Sequence, residues 1–423
     1  MAVTASESTS TQRTYLSDRI SVIRGEDERV WAGDVRVFRS LASPPYVESQ
    51  AGWSTTSPDA LNRPDQEINV RIAVYGASGY QAKLVLVELT GRDMDVVLVG
   101  RNATRLRDAA TAVGIVDAAQ RVADADDHDA LVPAFRDCDA VINCAGPFTR
   151  SGHAVVRAAI SAGCHYVDTA GEQFYIKSVY DLFARDAERA GVTVVPATND
   201  ACLPSDLIAR LLAELIQPIE EIAVSHFIVG GAGPSRGSLR SVAESIDAIG
   251  AGGLSYDDGD WHTGIPARHA SVTLPGTTQP TDVVKFPLSE VVTIPRHVRV
   301  QHVEGLVDAA LGARLGTPLT SQIIESLPEG PSVAARRTQR FTYLVDATGR
   351  EGQSARGVVQ GPDTYGTTAL IAVEAARRLV EDGAEPGVLA PAQAYDPTSF
   401  LDFLTPYGIS RTISVSGTSP TRH

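Results

Sequence analysis

The chain has 423 residues, 43% of them hydrophobic and 21% charged, which is ordinary for a soluble globular protein of one or two domains. Its 37 basic and 51 acidic residues give a net charge of −14, which argues against a nucleic-acid or anionic-membrane partner. The four cysteines lack C-x-x-C spacing, and we see neither an apolar leader nor a run of about 18 uncharged apolar residues. We therefore expect a cytoplasmic protein with reduced thiols, no metal site and no membrane span.

Residues 1–68 differ in composition from the rest of the chain. They are rich in Ser, Thr and Pro, and they predict a partly disordered N-terminal extension with two short strands within residues 20–38. This extension is expected to be a packing arm or dimer contact, or a lid over a substrate pocket.

From residue 69 onward, short β-prone runs alternate with helical segments of 10 to 17 residues. This alternation predicts right-handed crossovers and a parallel sheet, and hence an α/β fold with a Rossmann, doubly wound domain over residues 69–205. Ligands of such a sheet bind at the carboxyl ends of its strands.

The first predicted strand ends in a glycine turn, Gly76-Ala-Ser-Gly79-Tyr-Gln-Ala82, and a helix follows. Gly76 permits a tight turn, Gly79 lets a diphosphate approach the helix N-terminus, and Ala82 allows close packing on the strand. The alternative is a purely structural turn. The predicted cofactor contacts here are Gly76, Ser78, Gly79, Tyr80 and Gln81.

The second strand ends at Arg101 and Asn102, where an NAD enzyme tends to carry an acidic residue. A guanidinium at this place suits a 2′-phosphate, so the sequence favours NADP as the cofactor. The alternative is a surface arginine near a helix start. Asp124, after the third strand, is expected near the adenine or as a helix-side cap.

The fourth strand ends in small residues that allow a flat ring to approach the backbone near the nicotinamide. Cys144 has no base at a fixed spacing and is interpreted as a packed thiol. The predicted cofactor contacts in this segment are Asn143, Cys144, Ala145, Gly146, Pro147 and Phe148.

After residue 206 the pattern changes to long antiparallel strands, short helices and loops. It predicts an α+β substrate and dimerisation domain over residues 206–361. A C-terminal segment follows over residues 362–423, beginning with the helix TTALIAVEAARRLVEDG.

Three segments together, GASGYQAKLV, VGRNATRL and DAVINCAGPFTRSGHAVVRAAISAGCHYVDTAGE, resemble the saccharopine dehydrogenase-like (saccharopine reductase) family, which includes trans-acting enoyl reductases. The resemblance covers about residues 70–210; PSDL and Gly237-Ser-Leu-Arg-Ser241 add weaker matches. It implies an inserted α+β domain on a mixed sheet and a C-terminal segment that returns to the Rossmann domain. It also implies hydride transfer with NADP(H) to a C=N or an activated C=C bond.

Polar residues at the ends of the fifth and sixth strands are candidates for the chemistry. Tyr166 and Asp168 are two residues apart and therefore lie on the same face of a strand, and polar residues that follow are expected to converge with Asp168 at the cleft. The alternatives are a core tyrosine and side chains that hold loop N–H groups. The candidate catalytic residues are Tyr166, Asp168 and Glu172, and the candidate substrate-binding residues are Asn199, Asp200 and His226.

The sequence thus predicts a cytoplasmic, homodimeric NADP-dependent reductase of a small organic substrate. Two alternative functions are compatible with the same predicted Rossmann domain. One is a non-catalytic NADP-binding sensor or scaffold, and the other is a lyase or isomerase with a permanently bound nucleotide.

Overall fold

A computed structural model describes residues 70–231 and 233–416 of the chain. The predicted N-terminal extension and its two strands lie outside the described residues.

Within the described residues, the first sheet has seven strands, all parallel, in the order β15-β6-β5-β4-β1-β2-β3. Its central strands are buried on both faces, which explains why they read as continuous apolar runs such as VVLV. The strands are β1 (Arg71–Tyr75), β2 (Asp95–Gly100), β3 (Ala119–Val122), β4 (Ala140–Asn143), β5 (His165–Asp168), β6 (Thr193–Val195) and β15 (Gly387–Val388). The helices that cover them are α1 (Tyr80–Gly91), α2 (Ala103–Val113), α3 (His128–Phe135), α4 (Phe148–Ala162), α5 (Gln173–Ala190) and α13 (Thr364–Glu381).

The strand order reverses between β1 and β4. The chain runs outward from β1 to β2 and β3, and then crosses back to add β4, β5 and β6 on the other side. In open α/β sheets this switch point leaves a crevice at the carboxyl ends of the strands. The glycine turn and the segment after β4 both lie at this crevice.

The second sheet is mixed and contains nine strands among the described residues, with β12 and β7 paired in parallel. Its strands are β7 (Ile219–Val229), β8 (Leu254–Asp257), β9 (Asp260–Thr263), β10 (Ser271–Thr273), β11 (Pro280–Lys285), β12 (His302–Asp308), β13 (Arg340–Gly349), β14 (Ser354–Pro362) and β16 (Ser410–Ser416). The predicted α/β fold with a second domain on a mixed sheet is confirmed.

The remaining helices flank the second sheet or connect it to the first. They are α6 (Cys202–Leu215), α7 (Arg236–Glu244), α8 (Ile246–Gly250), α9 (Glu290–Thr293), α10 (Ala309–Leu315), α11 (Ser321–Ser326), α12 (Val333–Thr338), α14 (Pro391–Ala394) and α15 (Pro397–Leu404), with 3₁₀ turns at Ile294–Arg296 and Thr405–Tyr407. None of the helices in the described ranges is both long and apolar enough to cross a bilayer.

The C-terminal part of the chain joins both sheets. Helix α13 packs on α1, and β15 extends the first sheet beside β6. The last strand, β16, then pairs with β14 in the second sheet. Helix α6 packs closely on one face of that sheet, where a Cβ on Gly357 would lie 2.1 Å from Ile208 Cγ2.

Candidate dinucleotide and substrate site

The two glycines of the turn after β1 have different surroundings. Gly76 has a φ of +74°, and a Cβ at this position would lie 2.8 Å from the Cβ of Ala145. At Gly79, a Cβ would meet the Gly76 carbonyl oxygen at 3.2 Å and no other atom of the described residues within 4 Å, apart from its chain neighbours. The turn therefore packs against the segment after β4 through Gly76 and leaves space at Gly79.

The N-terminus of α1 begins at this space, and its N-cap residue, Gly79, has no side chain that could cap the first turn. Tyr80 and Gln81 direct their side chains elsewhere: the Tyr80 hydroxyl donates to the Pro331 carbonyl at 2.6 Å, and Gln81 Nε2 donates to the Tyr365 carbonyl at 3.1 Å. Ser78 is half-buried in the turn. Backbone N–H groups at a helix N-terminus and the helix dipole suit a diphosphate, so the turn and the start of α1 fit the cofactor.

The end of β2 presents a positive charge. Arg101 is exposed and, among the described residues, forms no ion pair, whereas Asn102 caps α2 by accepting from the Arg105 N–H at 3.0 Å. Burial and the charge of Asp124 raise the pKa of Tyr75 to about 12, and the charge of Arg101 opposes that rise. Arg101 and Asp124 therefore act on the same hydroxyl at the carboxyl edge, where the adenosine of a dinucleotide is expected.

The segment after β4 forms the opposite side of the crevice. Asn143 is fully buried and its Oδ1 accepts from the Ala145 N–H at 2.9 Å, which fixes the turn. Cys144, Gly146 and Pro147 are half-buried, so their surfaces face the crevice in part. Burial raises the pKa of the Cys144 thiol to about 12, which keeps it protonated and agrees with the packed-thiol interpretation.

Tyr166 and Asp168 lie behind this turn in a buried hydrogen-bond network. The Asp168 carboxylate accepts from both tyrosine hydroxyls, Tyr166 at 3.0 Å and Tyr175 at 2.9 Å, and from the Ala197 N–H at 2.9 Å. The Tyr166 hydroxyl accepts in turn from Asn143 Nδ2 at 2.9 Å. Burial raises the pKa of Asp168 to about 6, although these hydrogen bonds to the carboxylate oppose the rise.

Glu172 joins two turns at the carboxyl edge. Its Oε1 accepts from the Phe148 N–H and its Oε2 from the Gly171 N–H, both at 3.0 Å. The side chain is 6% exposed, and Phe148 is the first residue of α4. The three candidate catalytic residues therefore support the segment from Asn143 to Phe148 from behind.

The candidate substrate residues form two further sets of contacts. Asn199 Oδ1 accepts from the Cys202 N–H at 2.9 Å at the start of α6. Asp200 accepts from the hydroxyls of Thr368, at 2.8 Å, and Tyr343, and burial raises its pKa to about 6. His226 lies against the ring of Tyr343, with centroids 4.3 Å apart.

His226 Nε2 also lies 2.7 Å from Glu290 Oε1. Asp200 and His226 thus meet through Tyr343, whereas Asn199 is placed with the α6 N-terminus.

Sequence reasoning did not select two residues that the second domain and C-terminal segment bring to the crevice. Ser241 on α7 faces the turn after β4, because a Cβ on Gly146 would lie 3.0 Å from Ser241 Oγ. The Tyr365 hydroxyl accepts from the Ser235 N–H at 2.7 Å, and its ring packs on Tyr80. The weak Gly237-Ser-Leu-Arg-Ser241 match was the only sequence signal for the first, and Tyr365 gave none.

Comparison with known proteins gives relatives of two kinds. A lipid droplet localized protein from Caenorhabditis elegans is 26% identical over 413 residues, which cover 80% of this chain and 97% of that protein. A trans-acting enoyl reductase from Mycobacterium tuberculosis is 31% identical over 140 residues, which are 32% of this chain and only 34% of that protein.

This chain is also similar to a solved structure and matches a family model. Apo saccharopine dehydrogenase (L-Glu forming) from Saccharomyces cerevisiae superposes with a TM-score of 0.54 at 13% identity, covering 82% of this chain and 100% of that one, which shows the fold alone. Residues 72–195 match the family model described as the saccharopine dehydrogenase NADP binding domain. The predicted resemblance to the saccharopine dehydrogenase-like family and NADP as the cofactor are therefore confirmed.

Proposed function

We propose that this chain is an NADP-dependent reductase that delivers a hydride to the C=N or activated C=C bond of a small organic substrate. One observation carries the proposal: the turn from Cys144 to Pro147 lies half-buried beside the glycine turn, with Ser241 of the second domain facing it. Bound NADPH supplies the hydride, and the protein supplies orientation and a dry cleft.

In this proposal the buried residues act by positioning. Tyr166 and Asp168 hold Asn143, and Glu172 holds Phe148, so that the turn presents its backbone at a fixed place. Asp200 and His226 fix Tyr343 of the second sheet, and Asn199 fixes the start of α6. The Ser241 hydroxyl is placed to bind a polar atom of the substrate.

Two observations favour the activated C=C bond over the C=N bond. The segment Cys144-Ala-Gly-Pro147 carries no charged side chain, which suits an uncharged acceptor. One relative, 31% identical over 140 residues, is named a trans-acting enoyl reductase. We also propose a cytoplasmic homodimer. Because one relative is named for lipid droplets, cell fractionation should include that fraction.

The test is oxidation of NADPH by the full chain, followed at 340 nm with a panel of α,β-unsaturated thioesters and cyclic imines. We expect oxidation with one class, transfer of deuterium from labelled NADPH to the product, and loss of both in Gly79→Val. Tight NADPH binding without oxidation by either class contradicts the proposal and favours a sensor or scaffold. Nucleotide that copurifies and is unchanged after turnover favours a lyase or isomerase.

A further inference from the structure

The two faces of the second sheet differ in chemistry. One face packs on α6, as the contact of Gly357 with Ile208 shows. Side chains alternate between faces along a strand, so Ala223, Leu306 and Val358 point to the opposite, outer face. There they form a small apolar cluster of their own with Val272 from β10.

The strand register places acidic and histidine side chains together on this outer face. Glu221 of β7 is aligned with His302 of β12, and His302 is aligned with Asp257 of β8. Glu304 lies two residues along β12 and therefore points to the same face as His302. Four polar side chains of three neighbouring strands are thus held side by side by the backbone.

His269 completes a group with two of these carboxylates, which we name the Glu221–His269–Glu304 cluster. Its Nδ1 lies 2.7 Å from Glu304 Oε1 and 3.3 Å from Glu221 Oε1, and one possible ligand atom from each residue lies within 4.8 Å of the others. The position of His269 is fixed, because the N–H groups of Arg268 and His269 donate to Glu304 at 2.9 and 3.2 Å.

A second observation points to a missing partner. His302 is fully buried, and its Nδ1 lies 2.9 Å from Asp257 Oδ1, but its Nε2 has no hydrogen-bond partner among the described residues. This nitrogen lies 3.9 Å from Glu304 Oε2. Glu221 Oε1 is likewise a buried atom without a hydrogen bond in the described part of the chain. Buried polar atoms are rarely left in this state, because each one costs free energy.

We propose that Glu221, His269 and Glu304 bind one divalent transition-metal ion, with Zn²⁺ the best fit and His302 turned toward it as the fourth ligand. Imidazole nitrogen and carboxylate oxygen are both zinc ligands. At bond lengths of about 2.1 Å, ligands of a tetrahedral zinc lie about 3.4 Å apart. The distance from His269 Nδ1 to Glu221 Oε1, 3.3 Å, is close to this value, whereas the 2.7 Å contact with Glu304 Oε1 is a direct hydrogen bond that the ion would replace.

The charges around the cluster agree with a dication. The carboxylates of Glu221, Asp257 and Glu304 outnumber the cations Arg268 and Lys285 that neighbour them. Asp257, which contacts both Arg268 and His302, would orient the imidazole of His302 in the way that carboxylates orient zinc-bound histidines. The expectation of no metal site rested on cysteine spacing alone, which does not register such a cluster.

The ion would attach the segment that carries His269 to the outer face of the sheet. This role is structural and independent of the glycine turn, so it makes no use of the proposed reductase activity.

The test uses the full chain without a histidine tag, stripped with EDTA and dialysed against Zn²⁺ or Co²⁺. We expect one zinc per chain by mass spectrometry, the visible absorption of four-coordinate Co²⁺, and a higher Tm with Zn²⁺ than with EDTA. His269→Ala and Glu221→Gln, both at partly exposed positions, should lower the zinc affinity roughly 10- to 100-fold.

His262→Ala is the matched control, because His262 is an exposed histidine on the neighbouring strand β9. Its variant should bind zinc as the wild type does. Absence of bound zinc in the wild type, or equal binding by wild type and both cluster variants, would overturn the proposal. Circular dichroism and NADPH binding establish that each variant is folded, so that a loss of zinc is not a loss of fold.

Discussion

The carboxyl edge of the first sheet and the outer face of the second sheet are both rich in polar residues, but they use them differently. At the carboxyl edge, Tyr166, Asp168 and Glu172 are buried and bonded to protein partners, so the surface left for a ligand is mainly backbone. On the outer face, His302 and Glu221 each carry a buried atom that forms no hydrogen bond with any residue the structure describes. The difference teaches that a buried polar residue positions a site when its bonds are satisfied, and suggests a ligand when they are not.

The same contrast extends to the protonation of two buried carboxyls. Burial raises the pKa of Asp168 to about 6. At Glu304, burial also acts to raise the pKa, but hydrogen bonds, the largest from His269, outweigh it and lower the pKa to about 2. Glu304 is therefore fully ionised at neutral pH, whereas Asp168 titrates near pH 6, just below neutral pH.

The largest expected effect tests whether the backbone binds the cofactor at the carboxyl edge. Gly79→Val should weaken NADPH binding roughly 1,000-fold, about 4 kcal/mol, because the added methyl groups occupy the space of the diphosphate. Gly79 has a φ of −81°, which valine adopts without strain, so the fold should persist. Calorimetry measures the binding, and Gly91→Ala, at the other end of α1, is the control that should bind normally. Binding retained by Gly79→Val would mean that the cofactor does not use this turn.

The next effect is the pH dependence of stability that the raised pKa of Asp168 causes. The folded state holds the Asp168 proton more tightly than the unfolded chain, whose value is near 3.8. The contribution to the free energy of unfolding is therefore full below about pH 4 and is lost as the pH rises through about 6, on the order of 3 kcal/mol in all. Asp168→Asn should remove this decline.

Urea unfolding between pH 4 and 7 measures it. The pKa of Asp200 is also raised to about 6, so the stability that Asp200 contributes still declines with rising pH in Asp168→Asn. Asp200→Asn is the parallel variant that removes this second contribution. If Asp168→Asn has the same pH profile as the wild type, the Asp168 carboxyl is not held as the buried network implies.

A smaller effect concerns Arg101, an exposed charge at the carboxyl edge. Arg101→Asp should lower NADPH affinity roughly 10- to 100-fold, because a charge-assisted bond to the 2′-phosphate is replaced by repulsion, and should leave NADH affinity unchanged or higher. Arg107→Asp makes the same change of charge at another exposed position on α2 and should have little effect. Unchanged NADPH affinity in Arg101→Asp would rule out this arginine as the basis of cofactor choice.

The smallest effect tests whether a side chain takes part at the carboxyl edge at all. Ser241→Ala should raise KM roughly fivefold with little change in kcat, the loss of one hydrogen bond of about 1 kcal/mol. Steady-state kinetics on the substrate found at 340 nm measures both constants, with Ser245→Ala one turn further along as the control. An equal fall in kcat would instead place Ser241 in the transition state.

Much of the first domain could be predicted, because its signals are local. The second predicted strand, placed just before Arg101, is β2. Gly163 and Gly191 end α4 and α5 in the left-handed conformation, as helix-ending glycines do. In the second sheet, β12 was missed. It reads His-Val-Glu-Gly-Leu-Val-Asp, and its buried His302 and Glu304 hide the apolar pattern of an interior strand.

The sequence by itself determined the crossover fold, the glycine turn and the place of Arg101, because strand and helix periods and turn glycines act over a few residues. It also put Tyr166 and Asp168 on one side of a strand, which is where they lie. Only the tertiary structure decided that this side is closed by Tyr175, that Ser241 faces Gly146, and that His269 meets Glu304. Those contacts join residues that are distant or irregularly placed along the chain, and the packing of whole elements, which no local period encodes, brings them together.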